Sequence, residues 1–336
     1  MDLINGSKNF EQFNDVFHSL NDDDAVKWKA DRRILMMISA IYTTNSHPFD
    51  IELFKSTSDY IKKQVGFFSP LRTNHRFALA TALIVKHKEP KTYFKTFKII
   101  YQALIKSGFK RNSFTVIAAL VLLMETESKE IENETVKKRA KKAYSLYRGM
   151  RSKHLFLTSD GDYPLALLLS RSNQQVEQII NDSEYFYNTL SNHQFEKGND
   201  LQFLAHILML NDRLDNDMII ANCLSTYERM TKKEIKIKRI YYPIIGLLST
   251  INDVDQLLDE IILLQTELDF VKKYKYNKDL NFIIAVLLIV RDYIDKHTRH
   301  EISITTSLHM IVEAHLAAMI ATITAVTEAS FTSTAT

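Results

Sequence analysis

Short segments made almost entirely of apolar residues alternate along the chain with longer segments in which apolar and polar residues mix. In one mixed segment, Tyr93, Phe97 and Ile100 recur at steps of three or four residues, the period of one helix face. Several of the apolar segments are dominated by Ala, Leu and Met, which favour helix. We therefore predict an all-α protein in which apolar inner helices pair with amphipathic outer helices. The predicted inner segments span 34–41, 77–85, 114–124, 163–169, 201–210, 242–248 and 280–290.

These segments also repeat one another in sequence. An offset of 86 residues carries RFALATAL at 76–83 onto DYPLALLL at 162–169. The same offset carries YQALIKSGF at 101–109 onto YNTLSNHQF at 187–195. A third copy follows at an offset of 79 residues, which places DLQF over DLNF and the Tyr-Pro pair of DYP over that of YYP. Because separated segments keep one register, the sequence predicts a degenerate internal repeat.

The repeat predicts a single helical-repeat domain covering 1–328. Its units are αα-hairpins of roughly 40 residues, a length typical of stacked helical repeats. Two arrangements of the hairpins fit the pattern. They stack into an open α/α superhelix (solenoid), or they wrap into a closed α/α toroid around a central cavity. The predicted parts are an N-terminal half-unit at 1–73, repeat units at about 74–159, 160–238 and 239–300, a C-terminal helix at 301–328 and a frayed tail at 329–336.

Composition favours helix and indicates a cytoplasmic protein. The chain has 7 glycines and 5 prolines in 336 residues, fewer than turn-rich β folds or glycine-loop nucleotide folds need. Cys223 is the sole cysteine, so we expect a reducing compartment and no intramolecular disulfide. The first thirty residues contain no apolar run, so a signal peptide is not expected. The apolar stretch at 310–326 is short for a bilayer span, and we predict a buried helix there.

The charge distribution argues against a nucleic-acid partner. The net charge is only +3, whereas proteins that bind phosphate backbones carry a clustered basic surface. Two lysine-rich runs, at 137–142 and 232–239, fall on segments with helical spacing. A solvated helix face is the ordinary explanation of such runs, and contact with RNA or acidic lipid is the alternative.

Polar residues beside the inner helices are the candidates for a functional site, because buried polar groups are costly unless they are satisfied. Arg76 and Asp162 stand at equivalent positions of two repeat copies, and His206 interrupts the apolar segment LQFLAHILML. If the copies share a central cavity, these three side chains converge in it, and Asp162 and His206 are then acid/base candidates. The structural alternatives are an N-cap for Asp162 and a satisfied core histidine for His206.

Four further residues are candidates for lining a cavity or an interface. Asp160 precedes the DYPLALLL helix, where it caps the helix or, with Asp162, binds a cation or acts as an acid/base pair. Gln202 and Asn281 carry amides at equivalent positions in the first turn of two inner helices, and we expect them to bond neighbouring helices or face a shared cavity. Tyr242 begins another inner helix.

The histidines near the C-terminus do not match a metal-site motif. The string HTRHE at 297–301 places its imidazoles three residues apart, unlike the four-residue step of HExxH. His309 and Glu313 are one helical turn apart, the spacing of an ordinary side-chain pair. No glycine-rich phosphate loop, nucleophile elbow or catalytic Cys/His pair is present in the sequence, so we predict neither a cofactor nor a metal.

The strings LTSDGDYPLALLLS, FEKGNDLQFLAHILML and IYYPIIGLL resemble an uncharacterised family of cytoplasmic proteins from low-GC Gram-positive bacteria, classed as a domain of unknown function. The resemblance spans most of the chain. It implies a source and a domain extent, and it implies no activity, cofactor or catalytic residue.

Two functions follow from the predicted architecture. The first is a non-catalytic helical-repeat protein that binds another protein or a peptide through its curved face, the use that stacked repeats serve most often. The alternative is an α/α-toroid enzyme that acts on a small or isoprenoid-like substrate in a central cavity. The sequence leaves the oligomeric state open.

Overall fold

The computed structural model describes residues 8–27, 30–67, 69–73, 75–124, 133–155, 157–211, 214–251 and 254–297. Within these ranges every regular element is a helix and no strand occurs, so the predicted all-α class is confirmed. Short 3-10 turns at Pro70–Arg72, Asp160–Asp162 and Arg239–Tyr241 precede α-helices. The α-helices are α1 (Lys8–Asp22), α2 (Asp24–Lys27), α3 (Arg32–Thr44), α4 (Ile51–Lys63), α5 (His75–Lys86), α6 (Pro90–Ser107), α7 (Ser113–Met124), α8 (Asn133–Lys153), α9 (Tyr163–Leu169), α10 (Val176–Ser191), α11 (Asn199–Leu208), α12 (Asn216–Lys232), α13 (Tyr242–Leu248), α14 (Val254–Phe270) and α15 (Lys278–His297).

Local sequence signals determine many helix ends. The Asp50 carboxylate caps α4 by accepting hydrogen bonds from two backbone N–H groups of its first turn, at 2.9 and 3.0 Å. α6 has Pro90 in its first turn and ends before Gly108, whose φ of 119° is the left-handed conformation found after many helices. A Cβ at Gly108 would lie 2.4 Å from the Tyr144 ring. Both the backbone conformation and the ring therefore require glycine there.

The described chain divides into two compact units. Unit 1 takes the described residues up to Tyr144 together with Asp160–Ser170. Unit 2 takes Ser145–Ser159 and the described residues from Arg171 onward. The division therefore passes through α8, and α9 belongs to unit 1. The single domain and the repeat boundaries expected from the sequence stay a prediction.

In unit 1 the apolar helices lie beside one another. α3 contacts α5, α5 contacts α7, and α7 contacts α9, which is buried at every position. The amphipathic helices bury one face only, and in α6 Tyr93, Phe97 and Ile100 are buried while Lys91 and Lys95 are exposed. The apolar segments are thus the more buried partners of the amphipathic ones, as their composition predicts.

In unit 2 the apolar helices α11 and α13 pack closely. Gly246 permits this approach, because a Cβ there would lie 2.7 Å from Leu204 Cδ1 and 3.0 Å from Ile207 Cγ2. α13 is buried at every position from Tyr242 to Leu248. The amphipathic helices cover these elements, since α10 contacts α11, α12 contacts α13, and α14 contacts α15.

Each unit contains an equivalent pair of aromatic rings. In unit 1 the Phe109 and Tyr163 rings meet edge to face, with centroids 4.7 Å apart and planes at 82°. In unit 2 the Phe195 and Tyr242 rings meet in the same way, at 4.8 Å and 75°. The sequence offsets of 86 and 79 residues place these pairs in register. The ring packing is therefore consistent with the sequence repeat.

Several predicted features lie outside the described residues. They are the C-terminal helix at 301–328, the tail at 329–336, most of the HTRHE string, and the candidate side-chain pair formed by His309 and Glu313.

Candidate functional site

The structure places Arg76 in a network of local contacts in unit 1. Its Nε donates to Ser58 Oγ at 3.1 Å, and its Nη1 donates to the carbonyl oxygens of Arg72 and Thr73, each at 2.8 Å. The guanidinium also lies 4.3 Å from the centroid of the Phe77 ring. These bonds connect α4, the 3-10 turn and the first residues of α5. They account for a buried cation at this position by structure alone.

Asp160 is also a structural residue of unit 1. Its carboxylate accepts hydrogen bonds from Lys110 Nζ at 3.1 Å, Asn112 Nδ2 at 2.8 Å and the Tyr163 hydroxyl at 3.0 Å. The carboxylate thereby connects the turn after α6 to the first residue of α9. Among the described residues, no group of three or more His, Cys, Asp and Glu side chains is arranged to hold a metal ion.

The prediction that Asp162 stands at the start of α9 is correct, but the prediction that its side chain caps the helix is wrong. Asp162 is the N-cap residue of α9, but its side chain accepts no capping hydrogen bond. A capping side chain needs an extended backbone that lets its oxygen reach back to the next turn. Asp162 instead has φ of −84° and ψ of −2°, because it is already the last residue of a 3-10 turn.

Unit 2 contains a group of buried polar residues, which we call the α11 polar cluster: Gln202 and His206 on α11, with Thr158 on the segment that follows α8. Gln202 and His206 are one helical turn apart and lie on the same side of α11. Gln202 Nε2 donates to Thr158 Oγ1 at 2.9 Å, so the amide bonds the segment that follows α8. The role expected of Gln202 at a neighbouring helix or a shared cavity stays a prediction. All three side chains are buried.

His206 is completely buried, and neither ring nitrogen has a hydrogen-bond partner among the described residues. Burial, with a smaller contribution from the charge of His154, lowers the pKa of His206 from 6.5 to about 3. His206 is therefore neutral at physiological pH. His154 in turn has Nε2 2.8 Å from Glu184 Oε1 and its ring 4.6 Å from that of Tyr187.

Tyr242 and Asn281 both hold local structure in unit 2. The Tyr242 hydroxyl accepts a hydrogen bond from the backbone N–H of Glu196 at 3.0 Å. Asn281 Nδ2 donates to Asp269 Oδ1 at 2.6 Å and to the backbone carbonyl of Tyr274 at 3.2 Å. Asn281 thus connects the start of α15 to the end of α14 and to the turn between them.

The three residues predicted to converge fall in different units. Arg76 and Asp162 belong to unit 1 and His206 belongs to unit 2. Within unit 1, the hydrogen bonds of Arg76 go to Ser58, Arg72 and Thr73. Convergence of the trio in a cavity stays a prediction.

A surface pocket of ≈ 540 Å³ lies in unit 2, where α14 ends and α15 begins. Two large aromatic side chains in its wall are unusually exposed, Phe270 at 84% and Tyr276 at 80%. Large exposed apolar side chains that lie together occur at interaction sites more often than single exposed apolar residues do. The pocket is lined by Thr266, Asp269, Phe270, Lys275, Tyr276 and Lys278.

The turn at 270–278, which we call the basic aromatic turn, carries four lysines and no acid. Lys275 Nζ lies 4.7 Å from the centroid of the Tyr276 ring, a cation–π contact. We did not predict this turn from the sequence, because the candidate residues were chosen beside the inner helices. The turn instead lies at the end of an outer helix. The string FVKKYKYNK contains the signal, since aromatic residues interleaved with lysines differ from an ordinary solvated face.

The described elements define an all-α protein in which apolar helices pack against amphipathic ones, and none of these helices is long and apolar enough to cross a membrane. The chain belongs to the family described as "Protein of unknown function (DUF4003)", which matches residues 16–317. It is 34% identical over 309 residues to "Uncharacterized protein YeaA" of Bacillus subtilis (strain 168), covering 91% of this chain and 92% of that protein. The predicted membership of an uncharacterised family from low-GC Gram-positive bacteria is thus confirmed. No solved structure gives a significant match to the chain.

Proposed function

We propose that the protein is a non-catalytic helical-repeat protein of the cytoplasm that binds another protein or a peptide. The pocket walled by the basic aromatic turn carries this proposal. Exposed as they are, Phe270 and Tyr276 contribute little to the stability of the fold. Burial of an aromatic side chain against a partner is favourable by about 2 kcal/mol or more. Exposed aromatic rings at a concave surface are typical of the anchor residues of protein interfaces.

The alternating helices support the repeat on which the proposal rests. The apolar helices α3, α5, α7 and α9 are in contact one after another within unit 1, and α11 contacts α13 within unit 2. The equivalent ring pairs of Phe109 with Tyr163 and of Phe195 with Tyr242 follow the same offsets. Stacked helical hairpins present long surfaces on which partners bind without any chemical step.

The alternative, a toroid enzyme for a small or isoprenoid-like substrate, has weaker support from the candidate catalytic residues. An effective general base has a pKa near the working pH, and burial lowers the pKa of His206 to about 3. The guanidinium of Arg76 already bonds Ser58 and two backbone carbonyls. His206 is therefore a poor acid/base group at neutral pH, and Arg76 is held by structural hydrogen bonds.

Site-specific photo-crosslinking in cells tests the proposed function. A photoreactive phenylalanine replaces Tyr276 in the full chain, expressed in Bacillus subtilis, the organism of the relative. Met218 on α12, which is 50% exposed, provides a matched control position in the same unit. We expect a discrete protein adduct from position 276 that Phe270→Ser abolishes, and no such adduct from position 218. If position 276 forms no adduct with any protein, the pocket is not a protein-binding site and the proposal fails.

A further inference from the structure

Hydrogen bonds within the basic aromatic turn stabilise its conformation. The backbone N–H of Tyr274 donates to the Val271 carbonyl at 2.8 Å, and that of Asn277 donates to the Tyr274 carbonyl at 2.8 Å. The Tyr274 side chain is completely buried and anchors the turn in the core of unit 2. Asn281 bonds the same Tyr274 carbonyl from the first turn of α15. A preorganised surface binds a ligand with a smaller entropic cost than a flexible one.

The two acids beside this turn form hydrogen bonds with residues outside it. The Asp269 carboxylate accepts a hydrogen bond from Asn281, and the Asp279 carboxylate accepts hydrogen bonds from Lys238 and from the Tyr241 hydroxyl. The pKa of Asp279 is lowered because the bonds from Lys238 and Tyr241 outweigh the effect of its burial. Both flanking carboxylates are thus engaged by residues outside the basic aromatic turn.

Three lysines of the turn have no acidic partner among the described residues. Lys272, Lys275 and Lys278 are exposed and form no ion pair with a described carboxylate. Lys275 and Lys278 also line the pocket, on either side of Tyr276 in sequence. The pocket therefore combines two aromatic walls with a positive rim.

We propose that this pocket binds an acidic linear peptide segment of the partner protein. In this arrangement an apolar side chain of the segment packs against Phe270 and Tyr276, while its carboxylates pair with Lys275 and Lys278. Desolvation by the rings strengthens those ion pairs relative to pairs in open water. The inference rests on the proposed function, and it specifies the chemistry of the partner.

An acidic peptide fits the lining better than nucleic acid or a lipid surface does. Asp269 lies in the pocket wall, where its carboxylate is able to accept a hydrogen bond from a peptide N–H, a donor that a phosphate group lacks. Sites for single-stranded nucleic acid need a basic groove that follows several phosphates, whereas this site is one pocket wide. A pocket of ≈ 540 Å³ accommodates a side chain, which a flat layer of lipid headgroups does not offer.

A displayed library of random dodecapeptides, selected on the full-length protein, tests this inference. We expect the selected peptides to be enriched in Asp and Glu next to aliphatic or aromatic residues. Binding of a selected peptide is then measured by fluorescence anisotropy for the parent, for Lys275→Glu/Lys278→Glu and for the control Lys197→Glu, an exposed lysine of the same unit. The double variant should weaken binding at least about tenfold at low salt, because charge reversal turns attraction into repulsion. The control should bind as the parent does.

The outcomes separate this inference from the proposed function. If selected peptides show no acidic enrichment, or bind the double variant as well as the parent, the acidic-peptide inference is overturned. A position-276 protein adduct in the crosslinking experiment would leave the proposed function standing in that case. Lysine-dependent binding to phosphatidylglycerol vesicles or to oligothymidylate at higher affinity than to every selected peptide would also overturn the inference.

Discussion

At the scale of single residues, Gly108 shows how backbone conformation and packing together select one amino acid. Its φ of 119° suits glycine, and the Tyr144 ring occupies the space that a Cβ would need. We expect Gly108→Ala to lower the free energy of unfolding by roughly 1 to 3 kcal/mol. Urea denaturation followed by circular dichroism measures this loss.

Gly66→Ala is the matched control for that measurement. A Cβ at Gly66 meets no atom within 4 Å, and its φ is not positive. The control should unfold at the parental urea concentration or slightly above it, because alanine restricts the unfolded chain more than glycine does. Equal stability of the two variants would show that Gly108 is not constrained in the way described.

We expect His206 to make the stability of the protein depend on pH. In the unfolded chain its pKa is near 6.5, whereas burial lowers the pKa in the folded state to about 3. As pH falls below 6.5, the unfolded state therefore binds a proton that the folded state does not, and stability is lost progressively down to about pH 3. At pH 5 the loss from this one group is roughly 2 kcal/mol.

The variant His206→Leu should remove that part of the pH dependence. We expect its free energy of unfolding to fall less than that of the parent between pH 7.5 and pH 5, as measured by urea denaturation at each pH. His193→Leu, at an exposed histidine of unit 2, should keep the parental dependence. Parallel curves for the parent and His206→Leu would contradict a neutral buried imidazole.

At the scale of helices, burial separates apolar from amphipathic elements. Leu204 on α11 is completely buried, and Met218 on the amphipathic α12 is 50% exposed. Leu204→Ala should lower the free energy of unfolding by about 2 to 5 kcal/mol, because the remaining cavity adds to the lost transfer energy. Met218→Ala should change it by less than about 1 kcal/mol. Chemical denaturation compares the two, and similar losses would mean that α11 is not an inner helix.

The helices were predictable from sequence because the period of apolar residues reports directly which face of a helix is buried. Tyr93, Phe97 and Ile100 of α6 are buried as that period requires. The meeting of Gln202 with Thr158 was not predictable, because it depends on how the segment after α8 folds against α11. The failure of Asp162 to cap α9 was also not predictable. The local sequence does not reveal that a 3-10 turn already holds its backbone in a helical conformation.

At the scale of the whole molecule, the candidate site lies where two helices are connected and not within an apolar helix. Connections carry function more often than the elements they join, because their side chains are exposed on a rigid scaffold. The basic aromatic turn meets this description, since α14 and α15 pack together and the buried Tyr274 fixes the turn between them. Among the polar residues of the apolar helices, Arg76, Gln202 and Asn281 are instead held by structural hydrogen bonds. His206 is buried without a hydrogen-bond partner among the described residues.

Hydrogen–deuterium exchange of the full chain, with and without a peptide from the library selection, tests the central claim most directly. We expect peptide binding to slow exchange of the backbone amides in 266–278, while amides of 216–232 on α12 keep their rates. That result would place the binding surface at the pocket between α14 and α15. Protection elsewhere, with unchanged exchange in 266–278, would contradict the claim that the basic aromatic turn forms the functional surface.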